Sequence, residues 1–196
     1  MAKASLNERV VYTNLEYIRV TPWTSETSGP DSDTYDLTEV VADTTSVEQA
    51  ENESNVLEHE FSSAPLYENI QLGDKTFTCE SIDLQNAVLK GLFGWEGGET
   101  SDTNVYAPTA YVHKYATIEM GFHGTTNVIV LPKVLLNSRA VIASMKTDAS
   151  RANITGTCYP AYVNGKETDM AILTDKKSLE DDGAAVLAMV KGTKSE

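Results

Sequence analysis

The chain has 196 residues and a formal net charge of −14 at pH 7, from 29 acidic and 15 basic side chains. A protein that binds nucleic acid through its phosphates needs the opposite overall sign, so a DNA- or RNA-binding module is excluded. No apolar run approaches the roughly 18 residues of a transmembrane helix, and the N-terminus lacks the apolar stretch of a secretory signal. We expect neither, and one domain is the default at this length.

The charge is distributed unevenly along the chain. No Lys or Arg occurs between Arg19 and Lys75, a stretch that holds 13 of the 29 acidic residues. From Lys114 to Lys177 there are eight basic and five acidic residues, a local charge of +3. Either the acidic residues solvate loops and one strand face, or the acidic half of one subunit meets the basic half of the next. Both interpretations stay open at this stage.

Two cysteines, Cys79 and Cys158, lie in separate β-like runs, and no Cys-x-x-Cys or Cys/His cluster accompanies them. We expect reduced, buried thiols that pack as small hydrophobic groups. A disulfide would need an oxidising compartment, which nothing in the sequence indicates.

The N-terminal part predicts a strand followed by a polar loop. Residues 10–23 indicate a strand covered on both sides, which Pro22 should end. Residues 24–36 are rich in Ser, Thr and Asp and predict a loop. Its acids at Asp31, Asp33 and Asp36 lack the central Gly and terminal Glu of a calcium loop, so no metal site is expected.

An acidic and amide-rich segment, about residues 44–63, predicts an extended β-hairpin arm. Its two extended parts are residues 46–53 and 56–62, around Ser54 and Asn55. A two-stranded ribbon this polar is marginal alone in water, so either the domain's own sheet or a neighbouring subunit must cover it. The inter-subunit residues predicted for the arm are Val47, Gln49, Glu51, Glu53, Val56, Leu57, His59 and Phe61.

A strand and the clearest helix signal follow the arm. After a turn at residues 72–75, residues 75–82 alternate and place Phe77, Cys79 and Ser81 on one side. Asp83 fits an N-cap and Gly94 fits the C′ position of a helix over about residues 83–93. Four apolar residues at helical spacing form the stripe predicted to pack on the sheet: Leu84, Ala87, Val88 and Leu92.

The second half of the chain predicts more strands. Residues 110–122 and 127–134 flank a hairpin turn, and Pro132 marks an edge or a bulge. Residues 97–102 read as a loop, residues 140–146, 152–160 and 169–174 as strands, and residues 179–196 as a weak helix. The sum is a mainly β domain of about eight strands, a β-sandwich or barrel-like fold with one flanking helix.

The inventory of reactive residues does not favour an enzyme. The sequence has no His-x-x-x-His zinc pattern, no Gly-x-Ser-x-Gly elbow and no phosphate-binding Gly-Lys-Ser/Thr loop, so we expect neither catalysis nor a cofactor. A glycosidase acid pair would need a walled cleft, whereas these acids lie on a polar arm. Six aromatic residues could form a sugar platform, although their placement favours core packing: Trp23, Trp95, Tyr111, Tyr115, Tyr159 and Tyr162.

The order of these segments carries a family resemblance over about residues 10–162. It consists of the strand Tyr17-Ile-Arg-Val-Thr-Pro22, the polar hairpin, the strand-to-helix segment from Phe77 to Lys90, and a β block containing Tyr106-Ala-Pro-Thr109 and Val130-Leu-Pro-Lys-Val-Leu-Leu-Asn137. This order resembles the major tail tube proteins of tailed bacteriophages, of the type found in phages and prophages of gut bacteria. Residues beyond Asp175 fall outside the resemblance.

The resemblance implies one tail-tube-like domain over residues 1–196, with an unassigned tail from about 175. Six subunits would join their sheets into a ring, and rings would stack into a hollow tube. Implied partners are further copies of the chain, a tape-measure protein and tail terminator or adaptor proteins. DNA would pass through without specific binding, the chain would not insert into a membrane, and the tail would be assembled in the host cytoplasm and remain in the virion.

Two other interpretations of the sequence stay open beside the tail tube protein. The inner tube of a contractile machine fits the same residues, and a receptor- or glycan-binding β-sandwich of a virion or cell surface is the alternative from another class. If the arm joins subunits, Val47→Asp or Leu57→Asp should block polymerisation and leave a folded monomer. Unfolded protein would instead place these side chains in the intramolecular core.

Overall fold

A computed structural model describes residues 14–37, 39–59, 62–82, 95–99, 104–108, 114–125, 127–141, 150–174 and 184–193. Within these ranges one short helix, α1 (Ala184–Leu187), accompanies sixteen strands. The strands are β1 (Leu15–Ser25), β2 (Gly29–Pro30), β3 (Tyr35–Leu37), β4 (Ser46–Gln49), β5 (Glu53–His59), β6 (Ser62–Gln71), β7 (Lys75–Ser81), β8 (Trp95–Glu99), β9 (Asn104–Pro108), β10 (Lys114–Phe122), β11 (Val128–Val141), β12 (Arg151–Tyr159), β13 (Ala161–Val163), β14 (Lys166–Thr168), β15 (Ala171–Leu173) and β16 (Val190–Lys191).

Nine strands form one antiparallel sheet that closes into a barrel-like shell. Its order is β2-β1-β10-β11-β12-β7-β4, with β3 on β1 and β15 on β11. The chain from β3 to β4 joins the two ends of this order. Leu37 pairs with Ile18 of β1, and Val40, a little further on, bridges Ser81 of β7. The prediction of a mainly β, sandwich- or barrel-like fold is confirmed.

The inner face of this shell is a continuous apolar core. Side chains alternate between the two faces of a strand, so every second residue points inward. Phe77 and Cys79 of β7 are at most 2% exposed and Ser81 is fully buried, which confirms the predicted face. The buried members of the core are Ile18, Val20, Leu37, Phe77, Cys79, Ala116, Ile118, Met120, Leu131, Val134, Leu136, Ala152, Ile154 and Cys158.

A β-bulge interrupts the ladder between β10 and β11 at Pro132. Ala116 pairs with Val134 and Ile118 pairs with Leu131, so two residues of β11 lie opposite one residue of β10. Proline has no backbone N–H to give to a ladder, and a bulge places it where none is needed. The bulge predicted from Pro132 is confirmed.

The prediction that Pro22 ends the first strand is wrong. Pro22 pairs with Ala116 of β10, and β1 continues to Ser25. The strand can continue because it changes partners after the proline: Trp23 pairs with Pro30 of β2. Beyond Pro22, pairing with β2 therefore extends the strand, in place of the backbone hydrogen bond that the proline cannot donate.

A smaller sheet, in the order β14-β13-β16, covers part of the outside of the shell. Asn164 and Gly165, with φ of 50° and 77°, form the turn between β13 and β14, as in the Asn-Gly hairpin turns that need positive φ at both positions. A second apolar cluster lies between this sheet, α1 and the shell. Its buried members are Trp23, Val128, Val130, Ala161, Val163, Val186 and Val190.

The remaining predictions of elements have mixed outcomes. The strands predicted over residues 152–160 and 169–174 appear as β12 and β15, and the weak C-terminal helix reduces to α1 in the described part. The loop predicted over residues 97–102 is wrong for residues 97–99, which belong to β8 and pair with β9 despite two glycines, and residues 100–102 lie outside the described residues. The helix over residues 83–93, with Leu84, Ala87, Val88 and Leu92, lies outside the described residues.

Candidate assembly surface

The predicted arm consists of two parts with different partners. β4 lies on the domain's own sheet, where Ser46 pairs with Thr78 and Gln49 pairs with Lys75 of β7. The hairpin forms between β5 and β6, with Glu53 opposite Gln71. The prediction that residues 46–53 pair with residues 56–62 is therefore wrong. Such a pairing would have brought two acidic segments together, which is unfavourable across a ladder.

Val47 is partly buried and packs against the core of its own domain. It pairs with Phe77 and packs against the inner cluster of the shell. Val47→Asp would therefore place a charge against the domain's own core. Loss of folding in Val47→Asp would therefore not report on an inter-subunit contact, and the predictions for both Val47 and Leu57 as inter-subunit residues stay predictions.

The other predicted arm residues fall into three groups. Gln49 and Glu51 are exposed at and just beyond the end of β4. Strand β5 contains Glu53, Val56, Leu57 and His59. Phe61 lies outside the described residues.

The β5–β6 ribbon is an insertion in the hairpin that β4 and β7 form. Gln49 pairs directly with Lys75, and the Ala50 N–H donates to the Asp74 carbonyl at 2.9 Å. Beyond this base the ribbon forms a two-stranded sheet separate from the nine-stranded one. Neither outer edge of the ribbon has a ladder partner among the described strands. Such edges are templates for pairing with another chain.

An outward face of β4, β7, β12 and β11 is polar rather than apolar. Ser46, Thr78, Thr155 and Asn137 lie in one row across these four strands. The Ser46 and Thr78 hydroxyls are 2.9 Å apart, and the Thr155 hydroxyl donates to the Asn137 carbonyl at 2.7 Å. A cleft of about 550 Å³ lies on this face. Hydroxyl and amide groups suit hydrogen-bonded contacts better than a buried apolar interface.

A group of charged side chains connects β1, β3 and β10: Arg19 and Glu119 are buried, and the Asp36 side chain is 47% exposed. Arg19 Nε donates to Asp36 Oδ1 at 2.7 Å, and Arg19 Nη1 lies 3.9 Å from Glu119 Oε2. Burial alone would lower the pKa of Arg19, but the hydrogen bond and charge of Asp36 and the charge of Glu119 outweigh it, so the pKa is raised. Tyr17 donates its hydroxyl to Glu119 at 2.8 Å. Burial, followed by this bond, raises the pKa of Tyr17. These contacts connect β1 with β3 and β10, while the buried Arg19 Nη1 has no hydrogen-bond partner among the described residues.

Two of the candidate platform residues, Trp23 and Tyr115, pack against Lys133. Lys133 Nζ lies 4.4 Å from the ring centroid of Tyr115 and 5.3 Å from that of Trp23. Trp23 is 7% exposed, so its face is not available to a sugar. Tyr159 is 40% exposed and meets Tyr115 edge-on, with centroids 6.1 Å apart. Core packing of Trp23 is thus confirmed, and Tyr111 lies outside the described residues.

Cys79 and Cys158 are free and buried, as predicted. Burial, with a smaller contribution from Glu80, raises the pKa of the Cys79 thiol to about 12. Burial, followed by the charge of Asp169, raises the pKa of the Cys158 thiol to about 11. Thiols protonated at neutral pH are poor nucleophiles. Within the described ranges, no three His, Cys, Asp or Glu side chains come together as a metal site.

Similarity to known proteins is found among solved structures and not among sequences. No protein-family profile and no curated protein sequence matches the chain. A chain of the anti-feeding prophage baseplate, solved by cryo-electron microscopy with sixfold symmetrisation, is similar over 88% of this chain and 100% of that chain. The two share 8% sequence identity at a TM-score of 0.40, a level that carries no argument about function. In the described part, no helix is long and apolar enough to cross a membrane.

Proposed function

We propose that this chain is a non-catalytic structural subunit of a bacteriophage tail, which assembles with copies of itself into rings and a hollow tube. The observation that carries the proposal is the β5–β6 ribbon, which projects from the β4–β7 hairpin with both edges open among the described strands. The resemblance of the sequence to tail tube proteins supplies the class of assembly. The site of action would be the virion tail, after assembly in the host cytoplasm.

The energetics of the ribbon favour a partner. A single two-stranded hairpin is marginally stable in water, whereas a third strand adds ladder hydrogen bonds on an open edge. Each such bond contributes about 1 kcal/mol net. β6 is ten residues long, so a neighbouring copy that pairs along it would gain several bonds. Identical subunits joined in this way by a rotation that closes form a ring.

The overall charge suits a channel that conducts DNA. A net charge of −14 repels phosphates, so DNA can move past the protein without being held. We propose a tape-measure protein inside the tube during assembly, and terminator or adaptor proteins at its ends. The ring number and the presence of a contractile sheath are outcomes that electron microscopy would establish.

Replacing the ribbon tests the proposal directly. Because Gln49 pairs with Lys75, residues 53–71 can be exchanged for a two-residue Asn-Gly turn that keeps the β4–β7 hairpin. The natural chain should form rings or tubes in negative-stain electron microscopy, and the exchanged variant should remain a folded monomer in light scattering. Assembly of the variant would show that the ribbon does not form the contact between subunits. A natural chain that stays monomeric at every concentration would contradict the tube itself.

A finer test uses the alternation of backbone N–H groups. Successive N–H groups of β5 point to opposite sides, so one of Asn55 and Val56 donates toward β6 and the other toward the open edge. We expect Asn55→Pro and Val56→Pro to differ. One should destabilise the ribbon, and the other should prevent assembly while circular dichroism stays unchanged, because proline removes a single donor. Two variants that assemble normally would contradict pairing along the β5 edge.

Glycan or receptor binding has less support. The candidate platform residue Trp23 is buried and its indole N–H donates to Thr117 at 2.9 Å. Tyr159 is 40% exposed, and no other Trp, Tyr or Phe is exposed among the residues whose side-chain burial the structure describes. One exposed ring does not make the flat apolar surface on which a sugar stacks.

A further inference from the structure

The shell has a gap between β1 and β4. The chain from β3 to β4 runs between β1 and β7: β3 pairs with residues 18–20 of β1, and β4 pairs with β7. Among the described strands, β4 has no second partner on the side of β1. A cavity of about 540 Å³ lies here, lined by Asn14 and Leu15 on one side and by residues 40–43 and Thr45 on the other.

The open edge of β4 presents the backbone groups of two residues. The Ala50 N–H donates to the Asp74 carbonyl at 2.9 Å, at the end of the β4–β7 ladder. In an antiparallel ladder every second residue is bonded across the pair, so Glu48 also bonds to β7. The N–H and C=O groups of Val47 and Gln49 therefore point to the open edge, and we call these two N–H groups the edge amides. Such an edge is a template for a further strand.

The inner core is incompletely covered beside this gap. Leu15, Val40 and Val47 pack against the inner cluster, but each is only partly buried. Thr45 lines the cavity, and its buried hydroxyl has no hydrogen-bond partner. Buried hydroxyl groups are nearly always hydrogen-bonded, and apolar side chains gain free energy when a cover removes them from water. An extended segment that carries apolar side chains would offer both kinds of contact.

We propose that residues 6–13 of the same chain fill the gap as an additional strand along β4. Asn14 lines the cavity, so the residues that precede it start at the gap. Residues 10–12, Val-Val-Tyr, are of types that favour strands. Eight extended residues span about 26 Å, which is enough to pass the cavity and to continue along the four residues of β4.

The direction of the strands agrees with this placement. Five antiparallel ladders lead from β1 through β10, β11, β12 and β7 to β4, so β1 and β4 run in opposite directions. The chain that leads into β1 can thus pair antiparallel with β4, with Val10 near Thr45 and Leu6 near Gln49. Its attachment at Asn14 gives it a higher local concentration than a strand of a second copy. The contact does not depend on the proposed function.

Disulfide capture in the full-length chain tests the contact. Leu6→Cys, Asn7→Cys and Glu8→Cys are each combined with Gln49→Cys, so that neighbouring registers are covered. The proteins are oxidised at concentrations at which light scattering shows monomers. The two natural cysteines are buried and do not compete. We expect at least one pair to form a disulfide within one chain, which then migrates faster without reductant.

The matched control places the second cysteine at Ser32 instead of Gln49. Ser32 is exposed, and its neighbour Asp31 donates its N–H to the carbonyl of Pro22, at the end of the β1–β10 ladder opposite to Leu15. This position should not be captured. Equal capture at both positions, or no capture at Gln49, would overturn the proposal. A disulfide-linked dimer would also overturn it, and would assign the strand to a second copy.

Amide hydrogen exchange of the same monomeric protein, followed by NMR, gives a second readout. With the strand in place, the edge amides should exchange at least about tenfold more slowly than in Val10→Asp/Val11→Asp protein. The Glu48 N–H, which bonds to β7, should change less. Ala2→Asp/Ala4→Asp adds the same charge outside the paired part and should leave the edge amides protected. Edge amides that exchange equally fast in the natural chain and in the Val10→Asp/Val11→Asp variant would overturn the proposal.

Discussion

Trp23 donates its indole N–H to the hydroxyl of Thr117 at 2.9 Å, and both side chains are buried. The same hydroxyl donates to the Pro132 carbonyl at 2.8 Å. Thr117 thus connects the second apolar cluster to the bulge between β10 and β11. One hydroxyl satisfies two groups that would otherwise be buried without a partner.

Thr117→Val removes the hydroxyl and keeps the shape of the side chain. The Trp23 N–H and the Pro132 carbonyl then lose their shared partner, and a buried unsatisfied group costs about 1–3 kcal/mol. We expect the free energy of unfolding to fall by about 2–4 kcal/mol, measured by urea unfolding of monomeric protein. Thr117→Ser keeps both bonds and is the control, with a loss of about 1 kcal/mol from one methyl group. Equal losses in the two variants would show that the hydroxyl does not matter.

Substitutions of Arg19 and of Asp36 should lower the free energy of unfolding by unequal amounts. Glu119 is 2% exposed, whereas the Asp36 side chain is 47% exposed. Arg19→Met leaves the Glu119 carboxylate buried without its cation, which costs about 3–5 kcal/mol. Asp36→Asn keeps a hydrogen-bond acceptor at an exposed position and should cost about 1 kcal/mol or less. Urea unfolding of both variants measures the two losses in the free energy of unfolding. A larger loss from Asp36→Asn than from Arg19→Met would contradict the prediction.

The sequence predicted the shell better than the surface that we propose for assembly. The alternation at Phe77, Cys79 and Ser81 and the proline at 132 are local signals, and each has a direct physical consequence in a sheet. The partner of β4 is not a local property. It depends on Val47 meeting Phe77 in a core built from distant segments, and an acidic composition does not reveal that contact.

Two further signals in the sequence correspond to features of the structure. Asn164-Gly165 is a standard hairpin dipeptide, and it forms the β13–β14 turn. Arg19 lies between Ile18 and Val20 in a strand predicted to be covered on both sides, a position where a charge needs a partner on a neighbouring strand. Its partners Asp36 and Glu119 come from β3 and β10, so sequence alone could have predicted the need but not the residues.

Alkaline pH should destabilise the fold through its two thiols. Their folded pKa values, about 12 for Cys79 and about 11 for Cys158, lie above the ordinary value of 9.0. A raised folded pKa means that stability is intact below pH 9 and is lost as the pH rises toward 11, because the unfolded chain releases protons first. With both thiols contributing, the slope near pH 10 is up to about 2.7 kcal/mol per pH unit.

The control for the alkaline prediction replaces both thiols. Cys79→Ala/Cys158→Ala lowers stability at neutral pH but should flatten the fall between pH 9 and pH 11. The measurement is urea unfolding at a series of pH values under reducing conditions. Parallel curves for the natural chain and the variant would assign the alkaline loss to other groups, with Tyr17 the first to test because its pKa is also raised.

Substitutions at Gly121 and Tyr17 should have coupled effects on the free energy of unfolding. They lie opposite each other on β10 and β1, and a Cβ on Gly121 would lie 2.1 Å from Cε1 of the Tyr17 ring. Gly121→Ala must therefore displace the ring and break its 2.8 Å bond to Glu119. Alanine is otherwise favoured over glycine in a strand by roughly 0.5–1 kcal/mol, so the sign of the effect depends on the ring.

We expect Gly121→Ala to cost about 2 kcal/mol in the natural chain and to be neutral or stabilising in a Tyr17→Ala background. Urea unfolding of the two single variants and the double variant completes the cycle. Tyr17→Phe separates the two effects, since it removes the bond to Glu119 but keeps the ring in contact with Gly121. If Gly121→Ala costs the same with and without the ring, the close approach does not explain the glycine, and the backbone at position 121 must require it for another reason.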